Sequence, residues 1–265
     1  MPNNGSLNLQ CNQPCTDCGP CTLLPQVLKT LGYKTQLFGK WHVGQSNWDL
    51  TPRARGFDGY GGYLLGEQDH FTHVRAEGFD FWNETTVNYD VYGKYATYIY
   101  GEAAKSFISN QGALAKSASA RGATPQPWFM GLMTQAQHAP VQSPAECWGR
   151  FNKTIPQGNR QIQAGMVSCL DDAIGGILRT LEKSGQLNST TVILHTDNGG
   201  IASSSGSNMP LRGQVSRLAQ AISDSCAASC LVIGPNCTLP VVMNQAHTCL
   251  LCSMPLCDGA EAHSV

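Results

Sequence analysis

The sequence predicts an α/β fold, a parallel-rich sheet flanked by helices, and three observations carry that expectation. Two short apolar runs, Trp128-Phe129-Met130-Gly131-Leu132-Met133 and Thr191-Val192-Ile193-Leu194-His195, have the length and hydrophobicity of buried parallel strands. Between them, Ile162, Met166, Leu170, Ile174, Ile177, Leu178 and Leu181 fall on one helical stripe, with Gly185 just beyond its end. Strand, helix and strand in that order favour a right-handed crossover and parallel pairing. With 42% hydrophobic residues among 265, the chain can build a large core.

The elements follow in chain order. Thr22 to Leu31 sets Leu23, Leu24, Val27, Leu28 and Leu31 at helical spacing, and Gly32 follows as a stop. Thr35-Gln36-Leu37-Phe38 reads as a strand running into Gly39-Lys40-Trp41-His42. The two later strands also end in polar residues: Gln135, Gln137 and His138 after the first, Asp197 and Asn198 after the second. Ligands of open α/β sheets bind beyond the carboxyl ends of the strands. That rule places three polar clusters on one rim: Lys40 with His42, then His138, then Asp197 with Asn198.

Composition divides the chain and removes several function classes. The 17 Lys+Arg against 18 Asp+Glu give a net charge of −1 with no block of one sign, which offers no basis for a nucleic-acid or polybasic membrane partner. No apolar run approaches the length of a bilayer crossing, and the opening Met1 to Ser6 has neither the basic start nor the apolar stretch of a signal peptide. Of 12 cysteines, four lie in positions 11 to 21 and six in positions 226 to 257. Residues 1–21 therefore read as a cysteine-rich leader, 22–213 as the α/β body and 214–265 as a cysteine-rich tail of low order. From Leu218 onward the tail has no Lys, Arg or aromatic residue and no clear period, so a disulfide or metal module and a misread exon or reading frame are both open.

Several residue patterns could carry chemistry. Lys40 two residues from His42 at a strand end can set an anion clamp beside a proton donor or acceptor, and is equally compatible with a solvated loop. Asp197-Asn198-Gly199-Gly200 offers oxygen ligands to a hard divalent cation, and the same residues favour a plain turn. Cys11, Cys15, Cys18 and Cys21 contain overlapping Cys-x-x-Cys spacings suited to zinc, iron-sulfur or disulfides. Sequons at Asn4, Asn83, Asn152, Asn188 and Asn236 make Asn83, Asn152 and Asn188 of the body glycosylation candidates. Tyr89, Tyr92, Tyr95, Tyr98 and Tyr100 could line a sugar-binding surface or pack the core.

Leu23 to Thr35 followed by Gly39-Lys40-Trp41-His42-Val43-Gly44 resembles the second signature of the sulfatases. The resemblance continues through Pro52, Arg53, Arg55-Gly56-Phe57-Asp58 and Gly62-Tyr63-Leu64-Leu65-Gly66, where it is most like the arylsulfatase B group. Gln137-His138-Ala139-Pro140, Ala164-Gly165-Met166-Val167-Ser168, Thr196-Asp197-Asn198-Gly199-Gly200 and Pro210-Leu211-Arg212-Gly213 complete an ordered series. It implies an alkaline-phosphatase-like α/β fold, with 22–213 as a partial sulfatase catalytic domain, and hydrolysis of sulfate esters of glycans or aryl alcohols. It also implies calcium as cofactor and a lysosomal or secreted location. By the same resemblance Lys40 matches a sulfate-binding lysine, His42 the histidine handling the formylglycine hydroxyls, and His138 the histidine near the leaving-group oxygen. Asp197 and Asn198 match two calcium ligands, and disulfides become the favoured state of the leader cysteines.

Departures from the family pattern set further expectations. Cys18-Gly19-Pro20-Cys21-Thr22 shares only the first three positions of the family's Cys-x-Pro-Ser-Arg and lies too near Lys40, and the paired amino-terminal aspartates have no counterpart. After Arg212-Gly213 the chain reads Gln214-Val215-Ser216, where the family has a basic stretch. The expectation is a chain lacking the first strand, the nucleophile and half the metal site, inactive by itself, with an exposed sheet edge. The alternatives are a non-catalytic relic that binds sulfated ligands through Lys40, His42 and His138, and a cysteine-rich metal-binding protein on a sulfatase-like scaffold.

Overall fold

The structure, a computed structural model, describes residues 22–75, 78–196, 198–200 and 205–207, and the backbone of 231–233 and 248–253. In chain order the elements are α1 (Leu24–Thr30), β1 (Lys34–Lys40), β2 (Gly59–Tyr63), β3 (Val74–Arg75), β4 (Gly78–Phe79), β5 (Trp82–Asn83) and β6 (Thr86–Val87). They continue as α2 (Ala96–Ala120), β7 (Trp128–Met133), α3 (Ala145–Trp148), α4 (Asn159–Ser184), β8 (Thr190–His195), β9 (Leu231–Ile233) and β10 (Thr248–Ser253).

Eight strands form one sheet in the order β6-β5-β2-β1-β7-β10-β8-β9, while β3 and β4 form a separate ribbon. β1 is parallel to both β2 and β7, as the apolar runs predict. β10 runs antiparallel to both β7 and β8, so those two strands point the same way, as the crossover through α4 requires. The register aligns Gly62, Gly39, Met133, Thr248 and His195 across the sheet, which puts the ends of β1, β7 and β8 on one rim.

Between β7 and β8 the sheet leaves no open edge. β10, from the segment read as a tail, fills that position and pairs with both neighbours along its length. An antiparallel strand needs no crossover geometry, so a distant stretch of chain can satisfy the open backbone groups. The leader is outside the described residues.

Both faces of the sheet are covered. On one, α2 and α4 pack together and bury Ala104, Ile108, Ile174, Ile177 and Leu181 against Trp128, Met130 and Leu132 of β7. On the other, Leu37, Phe57, Tyr60, Leu64 and Phe129 form a smaller core with Leu28 and Trp41 at its margin. β7 is buried nearly throughout, which accounts for its unbroken apolar sequence. α4 ends where predicted, with Gly185 left-handed at φ 79° and its N–H on the Glu182 and Leu181 carbonyls.

α1 buries only part of its apolar set. Leu24, Val27 and Leu31 are exposed, and the helix is held instead by buried Pro25, by Leu28, and by Lys29, whose ammonium lies 2.9 Å from Asp58. The Gln26 side chain also accepts the Leu23 N–H at 2.8 Å. The hydrophobic spacing was helical, but polar anchors set which side faces β1. Cys147 and Cys169 form a disulfide joining α3 to α4.

Gly39 has φ 99°, and a Cβ there would lie 2.0 Å from the Met133 carbonyl oxygen. Gly185 also has positive φ, but with open space around it. Gly39→Ala is therefore expected to cost roughly 3 kcal/mol or more and Gly185→Ala about 1 kcal/mol in urea unfolding. Equal costs at the two positions would refute a close approach of β1 and β7 at the rim.

Candidate active site

β1 delivers Lys40 to the rim, and the β1–β2 pairing continues beyond the strands. Trp41 N–H donates to the Tyr63 carbonyl at 2.9 Å and His42 N–H to the Leu64 carbonyl at 3.1 Å. The Trp41 indole N–H is shared between the carbonyls of Gly44 and Leu50, at 2.8 and 2.9 Å, which ties down the loop that follows. Gly66 lies against the His42 imidazole; a Cβ there would sit 2.6 Å from Cε1. Buried Asp80 fixes this segment by accepting the N–H groups of Leu64 and Leu65, at 3.1 and 2.8 Å.

The second wall comes from β7. Thr134, Gln135, Ala136 and Gln137 are buried, and the chain emerges with half-buried His138. The Gln135 amide donates to the Gln68 carbonyl, and His138 N–H to the Gln135 carbonyl. Gln142 ties this wall to the 66–73 loop, donating to Asp69 at 2.6 Å and accepting His70 N–H at 2.9 Å. His70 Nε2 lies 3.2 Å from the His138 carbonyl, so the network assigns the ring proton to Nε2.

Glu67 stands between the walls. Its carboxylate lies 3.8 Å from His138 Nδ1 and 3.4 Å from the Arg75 guanidinium. The His42 imidazole is pushed below its ordinary pKa by burial first, then by the charges of Lys40, Arg75 and His138, with Glu67 opposing. Lys40, His42 and His138, predicted from sequence, are thus one electrostatic group with Glu67 and Arg75, which the sequence reading missed. Neither has a telling spacing; the one available signal is that Glu67 directly follows the Gly62 to Gly66 motif.

Asp197 lies outside the described residues. Asn198 is exposed at the end of β8, with its amide donating to the Gly199 carbonyl at 2.8 Å and its N–H on the Thr196 hydroxyl at 3.2 Å. These are the bonds of a tight turn. β10 sets β8 three strand spacings, about 14 Å, from β1. Among the described residues no group of three or more His, Cys, Asp or Glu converges, and these residues alone do not fit calcium, which takes six to eight oxygens. The four leader cysteines and Asn4 and Asn236 are also outside the described residues, whereas Asn83, Asn152 and Asn188 are all exposed. The tyrosine run divides: Tyr95 and Tyr100 are core, and Tyr89 and Tyr92 are exposed.

Burial holds the His70 pKa down to about 4, outweighing the hydrogen bond to the His138 carbonyl that raises it. Between pH 6.5 and 4 the unfolded chain binds this proton and the folded chain does not, so His70 makes stability fall as pH falls through that window. The loss expected from this group is about 2 kcal/mol between pH 7 and pH 4.5. Urea melts of His70→Gln should show a correspondingly shallower pH dependence; an unchanged slope would contradict the burial. At the neighbouring cluster, Glu67→Gln should lower the His42 pKa further and Lys40→Met should raise it, read from the Cε1–H resonance in an NMR titration.

Three comparisons bear on this arrangement. Residues 19–222 match the Sulfatase family. The chain is 34% identical over 196 residues to arylsulfatase J of Mus musculus, covering 72% of this chain and 31% of that protein. It is 29% identical over 202 residues to N-acetylgalactosamine-6-sulfatase of Homo sapiens, covering 71% of this chain and 35% of the relative. The chain thus spans about a third of the length of these curated relatives. In fold it is similar to the crystal structure of Ps i-CgsB in complex with k-i-k-neocarrahexaose, with TM-score 0.64 and 21% identity, covering 90% of this chain and 49% of that one. The α/β architecture expected from the motifs is the one described above, and the chain belongs to the sulfatase family.

Proposed function

We propose that this chain carries the sulfate-holding and proton-handling part of a site that hydrolyses sulfate esters of glycans or aryl alcohols. The observation that supports it is the gathering of Lys40, His42, Arg75 and His138 around Gly66 and Glu67, at the carboxyl ends of β1 and β7. In this reading Lys40 and Arg75 hold the sulfate oxygens, where negative charge must be stabilised while sulfur changes partners. His42, with its pKa lowered, is neutral at pH 7 and can take the proton of an attacking hydroxyl. When the ester S–O bond breaks, its electron pair goes to the alcohol oxygen, and His138 supplies the proton.

No Cys-x-Pro-Ser-Arg occurs in the 265 residues, so the attacking hydroxyl is proposed to lie outside them. Asp197 and Asn198 are proposed as contributors to a calcium site whose other donors are not among the described residues, and no step above is routed through it. The exposed sequons and the Cys147–Cys169 disulfide accord with a lysosomal or secreted location, which we propose also. Among the described residues no helix is long and apolar enough to cross a membrane.

The test uses 4-nitrophenyl sulfate and the full 265-residue chain, produced with and without the formylglycine-generating enzyme. Binding without release of 4-nitrophenol is expected in both preparations, and Lys40→Ala should weaken binding about tenfold. Turnover by the chain would overturn the assignment of the nucleophile outside it. An unchanged affinity in Lys40→Ala would remove the sulfate-holding role and with it both the hydrolase and the non-catalytic binding readings.

A further inference from the structure

A cleft of about 500 Å³ opens beside the cationic cluster, between the loop after His42 and the β4–β5 segment. Its apolar lining is Trp48, Trp82, Phe79, Leu64 and Leu65, and Gln45, Ser46 and Asn47 supply amide and hydroxyl groups along one wall. Trp48 is 55% exposed, an unusual state for so large an apolar side chain. It meets Trp82 edge to face, with ring centroids 5.9 Å apart and planes at 82°. Trp82 is in turn held by its indole N–H on Asp80 at 2.7 Å. Asp80 is the one ionisable residue of the lining, and both its oxygens accept protein N–H groups. Among the described residues the cleft therefore presents aromatic walls and neutral polar groups, and its one carboxylate is already engaged by N–H donors.

We propose that this cleft is a subsite for a neutral pyranose ring, adjoining the position of a sulfated one. A pyranose carries an apolar C–H face that packs on an indole and a hydroxyl rim that matches amides and hydroxyls. An aryl group would use the indoles and leave the polar wall without a role. The cleft lining is tied through the backbone to residues of the cationic cluster. Leu64 accepts the His42 N–H, and Gly78 on the cleft wall pairs with Arg75. Phe79 packs on exposed Tyr89, with centroids 4.7 Å apart, and so extends the aromatic surface outward. The assignment rests on the sulfate-ester reading and narrows its substrates to glycans over aryl sulfates.

The probe is unsulfated β-1,4-galactotetraose, titrated against the full chain with ligand-observed NMR. Saturable binding is expected, weakened about tenfold by Trp48→Ala and retained by Trp48→Phe and by Lys40→Ala. Because Trp48 is largely exposed, its replacement should leave the unfolding midpoint unchanged, which circular dichroism checks. Absence of binding to the wild-type chain, or equal binding by Trp48→Ala, overturns the subsite. Displacement of the sugar from the Trp48 site by equimolar 4-nitrophenol also overturns it, in favour of an aryl pocket. Should Lys40→Ala leave 4-nitrophenyl sulfate binding intact while galactotetraose still depends on Trp48, the sulfate-ester reading fails and the pyranose subsite stands.

Discussion

Two backbone hydrogen bonds beyond the ends of β1 and β2, from Trp41 to Tyr63 and from His42 to Leu64, prolong the parallel pairing past the sheet rim. Because that pairing continues, the loop after Lys40 and the Leu64–Glu67 segment cannot move independently. Gly66 meets the His42 ring only in this register, and Glu67 then falls within reach of Arg75 and His138. Asp80 holds the same segment from behind, using a buried carboxylate to satisfy backbone N–H groups that leave the strand. The cationic cluster and the aromatic cleft are two sides of this one clamped stretch of chain.

Elements whose residues meet mainly their own neighbours were legible in the sequence. β7 is hydrophobic because both its faces are covered, and α4 shows its stripe and its terminal Gly185 for equally local reasons. Lys40, His42 and His138 were found because strand ends in an open sheet share a rim. Contacts between distant segments were not legible. α1 turned Leu24 and Val27 outward, with Lys29 paired to Asp58, a partner in another segment. Glu67 and Arg75 are 8 residues apart, and Arg75 sits on a ribbon whose strands have two residues each, too short to show a period.

β10 had no such signal either, since nothing in the composition of 214–265 marks it as a strand of the main sheet. Its position between β7 and β8 closes the backbone ladder and also holds the two crossover-linked strands two spacings apart, about 10 Å. Completeness of the sheet and proximity of the polar clusters are therefore in tension at the rim. The Asn198 turn belongs to the same edge of the molecule as Lys40 without being beside it.

Glu67 gives the cluster a character that a list of its cations would not suggest. Arg75 and His138 already face a carboxylate carried on the same chain, at the effective concentration of a tethered group, on the order of millimolar or more. In the proposed reading, an arriving sulfate would exchange for an anion already in place. Simple anions in solution must compete with this internal occupant on equal chemical terms, whereas an ester that gains additional contact through its alcohol portion does not. On the proposed function the carboxylate would act as a threshold, favouring ligands recognised at two points over simple anions.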